Sequence, residues 1–372
     1  MYGSAQSDGL RYFHRQALEW KAGHRILLDG NIFDGAWVED TPFGEFIDFS
    51  SVSGQGIRDV DLQNNTFQHG ASVLFSPSQT ISGTPKVAPP IRFRFQNNLA
   101  WDINGHTYCT YGQSFCPQWG GYGVIFAGSQ GAEDWIVNRN TIVGNAGAQP
   151  SLLWMSDTRV EGLNFTNNIF HLSPGFGEGI SAGNVVGTNG KPCRNLFGKE
   201  AADCALQNYV FEHNLLTGTD DRRTIESWWP GRKNYVPAHP SELSVLGKPS
   251  RNPSMKLEQF ELKTDLPSEW NGYGADVNAL EAAQGKVKRV DVPPSSITST
   301  SATVAFVAPD KAGCPVDYGS TDPSLINQFT RVNDAGGKTD RNIALSQLSP
   351  STLYYYRVNC AVQQPMGQFR TH

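Results

Sequence analysis

Six segments of the chain repeat one pattern of hydrophobic and polar positions. In each segment apolar and polar residues alternate, an asparagine follows, and a second short apolar run comes next. The alternation predicts a β-strand with one buried face. The asparagine predicts a sharp bend, because it tolerates left-handed backbone conformations. The six segments are Leu28–Phe33, Val60–Phe67, Phe93–Ala100, Ile136–Val143, Leu163–Phe170 and Val210–Leu216.

The repeated asparagine predicts how the segments stack. It falls at Asn31, Asn65, Asn98, Asn140, Asn168 and Asn214, with gaps of 34, 33, 42, 28 and 46 residues. Repeats that cannot bury an apolar face alone stack into a solenoid. We therefore predict an all-β chain whose first part is a right-handed parallel β-helix, with loops of unequal length leaving the coils. We expect the asparagines to bond to one another inside the stack rather than to a ligand.

The pattern changes near residue 288. Short alternating runs separated by turns follow, among them Ala302–Phe306 and Tyr354–Cys360. Several short strands in so short a stretch favour a β-sandwich. The predicted domains are therefore a β-helix over 1–287 and a sandwich over 288–372.

Composition and charge narrow the class of protein. The chain has 372 residues, 38 of them glycine, and charged residues make up only 17%, which fits a loop-rich all-β protein rather than a helical one. The net charge of −5 argues against a nucleic-acid binder, which needs a basic face. No apolar run approaches the ~20 residues that span a membrane, so we expect no membrane insertion.

Six cysteines bear on the compartment. They fall into three plausible pairs, although the sequence alone leaves the connectivity open. None has the spacing of a metal site, so disulfides are the favoured interpretation and predict a secreted or cell-surface protein. The pairs are Cys109 with Cys116, Cys193 with Cys204, and Cys314 with Cys360.

The beginning of the chain lacks the features of a signal peptide. Met1–Gln6 has neither a basic start nor an apolar stretch. Because the first repeat follows almost at once, we expect that N-terminal coils and a signal peptide precede these residues in the full-length protein.

Two families are similar to parts of this chain. Residues 348–358 carry a Leu-x-Pro-x-Thr-x-Tyr pattern that resembles the tyrosine corner of fibronectin type III domains and implies that role for Tyr354. The Cys314–Cys360 pair departs from that family. The asparagine repeats, together with residues 17–33 and 274–280, resemble secreted bacterial β-helix proteins of the pectate-lyase-like superfamily. That superfamily includes lyases, hydrolases, epimerases and binding proteins, so the resemblance implies the fold but no single reaction.

Candidate chemistry lies in the residues that interrupt the repeats. Glycoside hydrolases of this superfamily use aspartates on neighbouring coils, and three aspartates are predicted to fall near corresponding points of the coil. These candidate catalytic residues are Asp102, Asp134 and Asp157. Aromatic rings stack on sugars, while polar side chains bond their hydroxyls. The candidate substrate-binding residues are Trp101, His106, Trp119, Tyr122, Trp154 and Arg159.

The predicted function is a secreted protein that acts on or binds an extracellular polysaccharide, by hydrolysis or β-elimination if it is an enzyme. The alternative is a non-catalytic surface or adhesive protein in which the solenoid is a rigid stalk. The sequence does not decide whether the protein is an enzyme. The sequence predicts no cofactor and no metal site. Calcium is the possible exception, because lyases of this superfamily use Ca²⁺, but no calcium-binding loop indicates it.

Overall fold

The structure is a computed structural model that describes most of the chain. The described residues are 16–20, 22–36, 45–49, 56–76, 91–104, 108, 125–127, 133–144, 152–155, 159–172, 180–182, 185–187, 190–194, 196–218, 222–230, 234, 272–285, 287–321, 329–360 and 365–372. The chain divides into two compact units, Met1–Val277 and Asn278–His372, and each unit is described separately below.

Three parallel sheets build the first unit. Sheet 1 contains β1 (Gln16–Glu19), β4 (Glu45–Asp48), β7 (Ser72–Ser76), β10 (Ile125–Ala127), β13 (Leu153–Met155) and β16 (Ile180–Ala182). Sheet 2 contains β2 (Gly23–Asp29), β5 (Ile57–Gln63), β8 (Ile91–Gln96), β11 (Glu133–Asn138), β14 (Val160–Thr166), β17 (Leu206–Gln207) and β18 (Val210–Glu212). Sheet 3 contains β3 (Ile32–Ala36), β6 (Thr66–Gly70), β9 (Leu99–Ile103), β12 (Thr141–Gly144), β15 (Ile169–Leu172) and β19 (Leu215–Gly218).

Chain order shows how these sheets stack. The chain visits sheet 1, sheet 2 and sheet 3 in turn, and each strand pairs in parallel with the strand of the same sheet in the next repeat. Strands far apart in sequence therefore become neighbours about 4.8 Å apart. The mostly parallel β architecture of this unit agrees with the repeat pattern of the sequence.

The repeated asparagines form a hydrogen-bonded ladder at the bend between sheets 2 and 3. Asn65 shows the pattern: its Oδ1 accepts bonds from the backbone N–H and the Nδ2 of Asn31, at 2.9 and 3.0 Å. Its own Nδ2 donates to Asn98 Oδ1 and to the carbonyl of Leu28. Asn65 and the four repeated asparagines that follow it are fully buried. The same contacts recur at Asn98, Asn140, Asn168 and Asn214.

A seventh asparagine ends the ladder. Asn234 Oδ1 accepts bonds from the backbone N–H and Nδ2 of Asn214, at 3.0 Å each, and its Nδ2 donates to the carbonyl of Phe211. Nearby, Trp229 stacks on Phe211 with ring centroids 4.0 Å apart. The segment that follows the last repeat therefore satisfies both the polar groups and the apolar face that the last coil exposes.

Helices and a strap complete the first unit. Helix α1 spans Gly198–Ala205, and a disulfide joins its Cys204 to Cys193. Helix α2 spans Arg222–Trp228. Helix α3 spans Val277–Ala283, and all of it except Val277 belongs to the second unit. Before α3, residues 274–276 run back across three repeats. Each of the three residues donates its backbone N–H to a different repeat. Gly274 donates to the carbonyl of Asn167, Ala275 to Thr141 Oγ1, and Asp276 to Asn97 Oδ1.

Two antiparallel sheets form the second unit. The first contains β20 (Lys288–Asp291), β21 (Ala302–Val307) and β24 (Asp340–Leu345), and a 3-10 turn spans Pro294–Ser296. The second contains β22 (Val316–Gly319), β23 (Thr330–Val332), β25 (Leu353–Val358) and β26 (Met366–Arg370). Alternate residues of β21, β24 and β25 are buried, so the two sheets share one sandwich-like core.

Two predicted contacts are present in the second unit. Cys314 and Cys360 are joined by a disulfide and are almost fully buried. The hydroxyl of Tyr354 accepts a bond from the backbone N–H of Ser349 at 2.9 Å, which is the contact expected of a tyrosine corner. The disulfides of the two units are compatible with an extracellular protein. Among the helices that the structure describes, none is long and apolar enough to cross a membrane.

A buried carboxylate organises one face of the β22–β25 sheet. Asp317 is 2% exposed and accepts two bonds from Arg331, at 2.6 and 2.8 Å, and one each from Arg357 and Asn359 at 3.1 Å. The bonds from Arg331 contribute most and lower the pKa of Asp317 to about 2, against the effect of burial. Asp317 therefore stays ionised at every pH at which the protein is expected to work.

We expect an Asp317→Asn variant to destabilise the second unit by about 2 kcal/mol at pH 7, which is the free energy that corresponds to the lowered pKa. Because the pKa in the folded protein lies below that in the unfolded chain, this stabilisation is present above about pH 4 and is lost as the pH falls towards 2. Hydrogen exchange of β22 and β25, measured by mass spectrometry on the full chain, reports the change.

The exposed Asp340 provides the control for this experiment. An Asp340→Asn variant should change the exchange of β22 and β25 little, because surface substitutions usually alter stability by less than about 0.5 kcal/mol. If both variants exchange like the parent protein, the Asp317 network does not stabilise the unit.

Candidate functional site

A polar cluster lies on three successive strands of sheet 3. Asp34 on β3 aligns with Gln68 on β6, and Gln68 aligns with Trp101 on β9. The next position of β6 and β9 holds His69 and Asp102. Parallel pairing thus gathers side chains that are more than 30 residues apart in sequence. We call Asp34, Gln68, His69, Trp101, Asp102 and Tyr108 the sheet 3 cluster.

The backbone at two of these positions has an unusual conformation. His69 and Asp102 have φ of 57° and 52°, in the left-handed region. Gly35 holds the corresponding position of β3, with φ of 85°. Left-handed residues within a strand interrupt the strict alternation of side chains and redirect one of them. Non-glycine residues in this region carry a conformational cost that the surrounding contacts must offset.

The histidine lies between two carboxylates and is hydrogen-bonded to one of them. His69 Nδ1 lies 2.7 Å from Asp34 Oδ1, and His69 Nε2 lies 3.9 Å from Asp102 Oδ2. The hydroxyl of Tyr108 donates to the same Asp102 oxygen. On the other side, Gln68 Nε2 donates to Asp34 Oδ2 at 2.9 Å. The imidazole is therefore fixed in position and orientation.

A tryptophan completes the packing around the imidazole. Trp101 Nε1 donates to Gln68 Oε1 at 3.1 Å, and the Trp101 ring meets the His69 ring edge to face, with centroids 4.8 Å apart. The indole thus serves both as a hydrogen-bond donor and as a wall for the histidine.

Solvent reaches only part of the sheet 3 cluster. The side chains of His69 and Asp34 are 22% and 25% exposed, while that of Asp102 is 3% exposed. Burial acts to raise the pKa of Asp34, but the hydrogen bonds from His69 and Gln68 outweigh it, and the pKa lies below its usual value. Asp34 is therefore a carboxylate at neutral pH and orients the His69 ring through Nδ1.

The geometry is better suited to proton transfer at the histidine than at a pair of carboxylates. The imidazole separates Asp34 from Asp102, which lie within roughly 9 Å of each other, and it fills the space in which an inverting hydrolase holds a sugar and a water. A histidine that donates Nδ1–H to a carboxylate keeps Nε2 as an acceptor, which is the state of a general base.

The structure brings two of the predicted site residues together and separates others. Trp101 and Asp102 are both in the sheet 3 cluster, whereas Asp134 lies exposed on β11 of sheet 2. The two aspartates therefore do not occupy corresponding points of the coil, contrary to the sequence expectation. The segments between strands differ in length, so the spacing of residues along the chain does not give their position around the coil.

The remaining predicted residues lie elsewhere or outside the described part of the chain. Trp154 is half-buried on β13 of sheet 1. Arg159 is half-buried before β14 and donates to the carbonyl of Leu206 at 3.3 Å. The predicted residues outside the described part are Asp157, His106, Trp119, Tyr122, Cys109 and Cys116.

Sequence reasoning missed Asp34, His69 and Tyr108, although a signal for the first two exists. Counted from the repeated asparagine, the third and fourth following residues are Asp-Gly, Gln-His and Trp-Asp in the first three repeats. In the next three repeats they are Val-Gly, His-Leu and Thr-Gly. Aligning the repeats on the asparagine would therefore have placed His69 beside Asp34 and Asp102.

Known structures are similar to about a quarter of this chain. The comparison with protein-family models finds no match. The comparison with curated proteins finds none either. A redesigned β-sandwich protein is 27% identical over 23% of this chain and 92% of its own, with a TM-score of 0.19. Two structures of the sensor domain of the anti-sigma factor RsgI4 from Pseudobacteroides cellulosolvens are 18% and 17% identical over 23% of this chain, and cover 74% and 93% of their own chains. Their TM-scores are both 0.18.

Proposed function

We propose that this chain is an extracellular carbohydrate-active protein and that the sheet 3 cluster is its reaction centre. In this proposal the first unit is a right-handed parallel β-helix of the pectate-lyase-like kind, and the second unit is a fibronectin type III-like accessory domain. The observation that carries the proposal is the position of His69, held by Asp34 at Nδ1 and reachable by solvent. The two disulfides and the parallel sheets support the secreted β-helix class.

The chemistry that we propose for the cluster is β-elimination from a polysaccharide whose uronic acids are esterified, because Asp34 and Asp102 would repel a free carboxylate. His69 Nε2 takes the proton at C5 of the sugar, next to the ester carbonyl. The electron pair left on C5 forms a C4–C5 double bond, and the C4–O bond to the neighbouring sugar breaks. The imidazolium then gives that proton to the leaving oxygen, directly or through water, which restores His69, so that no other reactant is needed. Asp34 stabilises the imidazolium that forms.

The matched variants His69→Asn and His213→Asn test this function. Both residues have left-handed backbone, with φ of 57° and 55°, and asparagine tolerates that conformation. His213 lies at the bend before Asn214, outside the sheet 3 cluster. With a panel of esterified uronate polysaccharides, and absorbance of the unsaturated product as the readout, we expect His69→Asn to lose activity by about 100-fold or more and His213→Asn to keep it.

A non-catalytic surface protein is the second candidate function. The near-complete burial of Trp101 and Asp102 favours it, because this burial leaves only Asp34, Gln68 and His69 of the cluster accessible. Under this function the parent protein binds a polysaccharide of the panel but releases no product from it. If the protein neither binds nor cleaves any neutral or acidic polysaccharide, the carbohydrate function is wrong.

A further inference from the structure

A second feature lies on the outer face of sheet 2, away from the sheet 3 cluster. The face carries an open groove of about 710 Å³ on β2, β5, β8, β11 and β14. Strand pairing arranges its side chains in two columns that cross the strands. The first column is Arg25, Asp59, Arg92 and Asp134, and the second column is Leu27, Asp61, Arg94 and Ile136.

The backbone keeps the first column in register. All four residues have left-handed φ, between 54° and 59°. Gly162 and Asn208 continue the same conformation in the next two repeats, with φ of 67° and 49°. A left-handed residue at one fixed point of every repeat turns a regular row of side chains outward from the sheet.

The two central residues of each column form an ion pair with each other. Arg92 forms two bonds with Asp59, at 2.6 and 3.0 Å, and Arg94 forms two with Asp61, at 2.5 Å each. About half of each arginine side chain remains exposed. The centre of the face is thus two ion pairs whose outer sides still point to solvent.

The two ends of the columns have no such partners. Within the described residues, neither Arg25 on β2 nor Asp134 on β11 forms an ion pair or a side-chain hydrogen bond. Beside them lie two exposed apolar side chains, Leu27 at 59% and Ile136 at 39%. One end is therefore a cation next to an apolar residue, and the other end is an anion next to an apolar residue.

Each column is complementary to a second copy of itself that runs across the strands in the opposite direction. The first column reads plus, minus, plus, minus along the strands, so a reversed copy places Asp134 against Arg25 and Arg92 against Asp59. The second column reads apolar, minus, plus, apolar, so a reversed copy places Ile136 against Leu27. An interface between identical subunits related by a two-fold axis requires this self-complementarity.

We propose that this face of sheet 2 binds a second copy of the chain. The two-fold axis runs parallel to the strands between β5 and β8, so that β2 faces β11 of the second copy and β5 faces β8. Arg25 then pairs with Asp134 of the second copy, and this contact occurs twice. The central ion pairs of the two copies form four-charge networks, and water fills the groove that the two faces enclose.

The size of the face predicts a weak dimer. Four strands of six or seven residues, spaced about 4.8 Å apart, cover roughly 400 Å², or roughly 800 Å² for both copies, which is below the area of about 1,000 Å² expected of a stable specific interface. Charge pairs dominate the contact, so salt should weaken it. The dimer would display two sheet 3 clusters, which raises the apparent affinity for a polymer with repeated binding sites.

Reversing the charge of Arg25 or of Asp134 by substitution tests the dimer. Sedimentation of the 372-residue parent chain over a range of concentrations should show a monomer–dimer equilibrium. We expect Arg25→Asp and Asp134→Arg each to raise the dissociation constant by at least about tenfold, since each places two pairs of like charges in contact. An equimolar mixture of the two variants should dimerise again, because each copy then supplies the charge that the other needs.

An arginine outside the face provides the control. Arg139 has the same left-handed conformation, with φ of 55°, and lies at the bend between sheets 2 and 3. Arg139→Asp changes the net charge by as much as Arg25→Asp does, and it should leave the dissociation constant unchanged. A parent protein that stays monomeric at all concentrations, or a mixture that does not dimerise, overturns the proposal. If the parent is monomeric and the Arg25→Asp variant no longer binds polysaccharide, the face binds a glycan rather than a second copy. This result also overturns the proposal.

Discussion

Replacing Asn140 by alanine is expected to lower the free energy of unfolding of the first unit by an amount on the order of 5 kcal/mol, a large part of the stability of a typical domain. Asn140 is fully buried in the middle of the ladder. Its Oδ1 accepts bonds from the backbone N–H and Nδ2 of Asn98, and its Nδ2 donates to Asn168 Oδ1 and to the carbonyls of Phe95 and Asn138.

The cost comes from the polar groups that the substitution leaves behind. Two donor groups of Asn98 and the carbonyl of Phe95 lose a partner in a place that water does not reach, at about 1–3 kcal/mol each. Replacing one asparagine therefore removes hydrogen bonds in the two neighbouring coils as well as in its own coil. All nine tryptophans precede residue 271, so urea unfolding followed by tryptophan fluorescence reports the first unit.

Asn31 provides the matched control at the end of the ladder. Its side chain is partly exposed, and among the described residues it donates to Asn65 Oδ1 and to the carbonyl of Asp29. Asn31→Ala should therefore lower the free energy of unfolding by only about 1 kcal/mol. Equal losses in the two variants would contradict the idea that burial within the ladder sets the cost.

Removing the Cys314–Cys360 disulfide is expected to destabilise the second unit by about 4 kcal/mol. The two cysteines are 46 residues apart, and releasing a loop of that length restores a large conformational entropy to the unfolded chain. The double variant Cys314→Ala, Cys360→Ala is preferred to serine substitutions, because serine would bury a hydroxyl group at each of these almost fully buried positions. Hydrogen exchange of β21, β24 and β25 in the full chain measures the effect.

The Cys193–Cys204 disulfide gives an internal comparison. It closes only 11 residues, so the same entropy argument gives a smaller loss of about 3 kcal/mol, located in the first unit. Removing one disulfide should leave the exchange of the other unit unchanged. Unchanged protection of β21, β24 and β25 in the Cys314, Cys360 variant would show that the sandwich does not depend on its cross-link.

The two proposals place different tasks on different sheets of one unit. The sheet 3 cluster concentrates a histidine, two carboxylates and a tryptophan in three strands, while sheet 2 carries a regular field of paired charges. Stacking makes this division possible, because each sheet repeats its own position of the coil in every repeat. A substitution on one face can therefore be tested with little direct effect on the other.

The sequence by itself determined the repeats and much of the local structure. Alternation is a local property of a strand, so it located most strands of sheets 2 and 3, and the asparagine marked the bend between them. The disulfides of Cys193 with Cys204 and of Cys314 with Cys360 also agree with the predicted pairs. The contact of Tyr354 with Ser349 follows from a short motif in the same way.

Only the tertiary structure decided which side chains meet. The gaps between repeats vary from 28 to 46 residues, so position in the chain does not give position around the coil. For this reason Asp102 and Asp134 were expected at corresponding points but lie on different sheets, while Asp34 and His69 were overlooked. Asn234, in a segment without the repeat, was recognised as part of the ladder only from its contacts with Asn214. Stacking brings distant residues within one strand spacing of each other, and no local pattern records that.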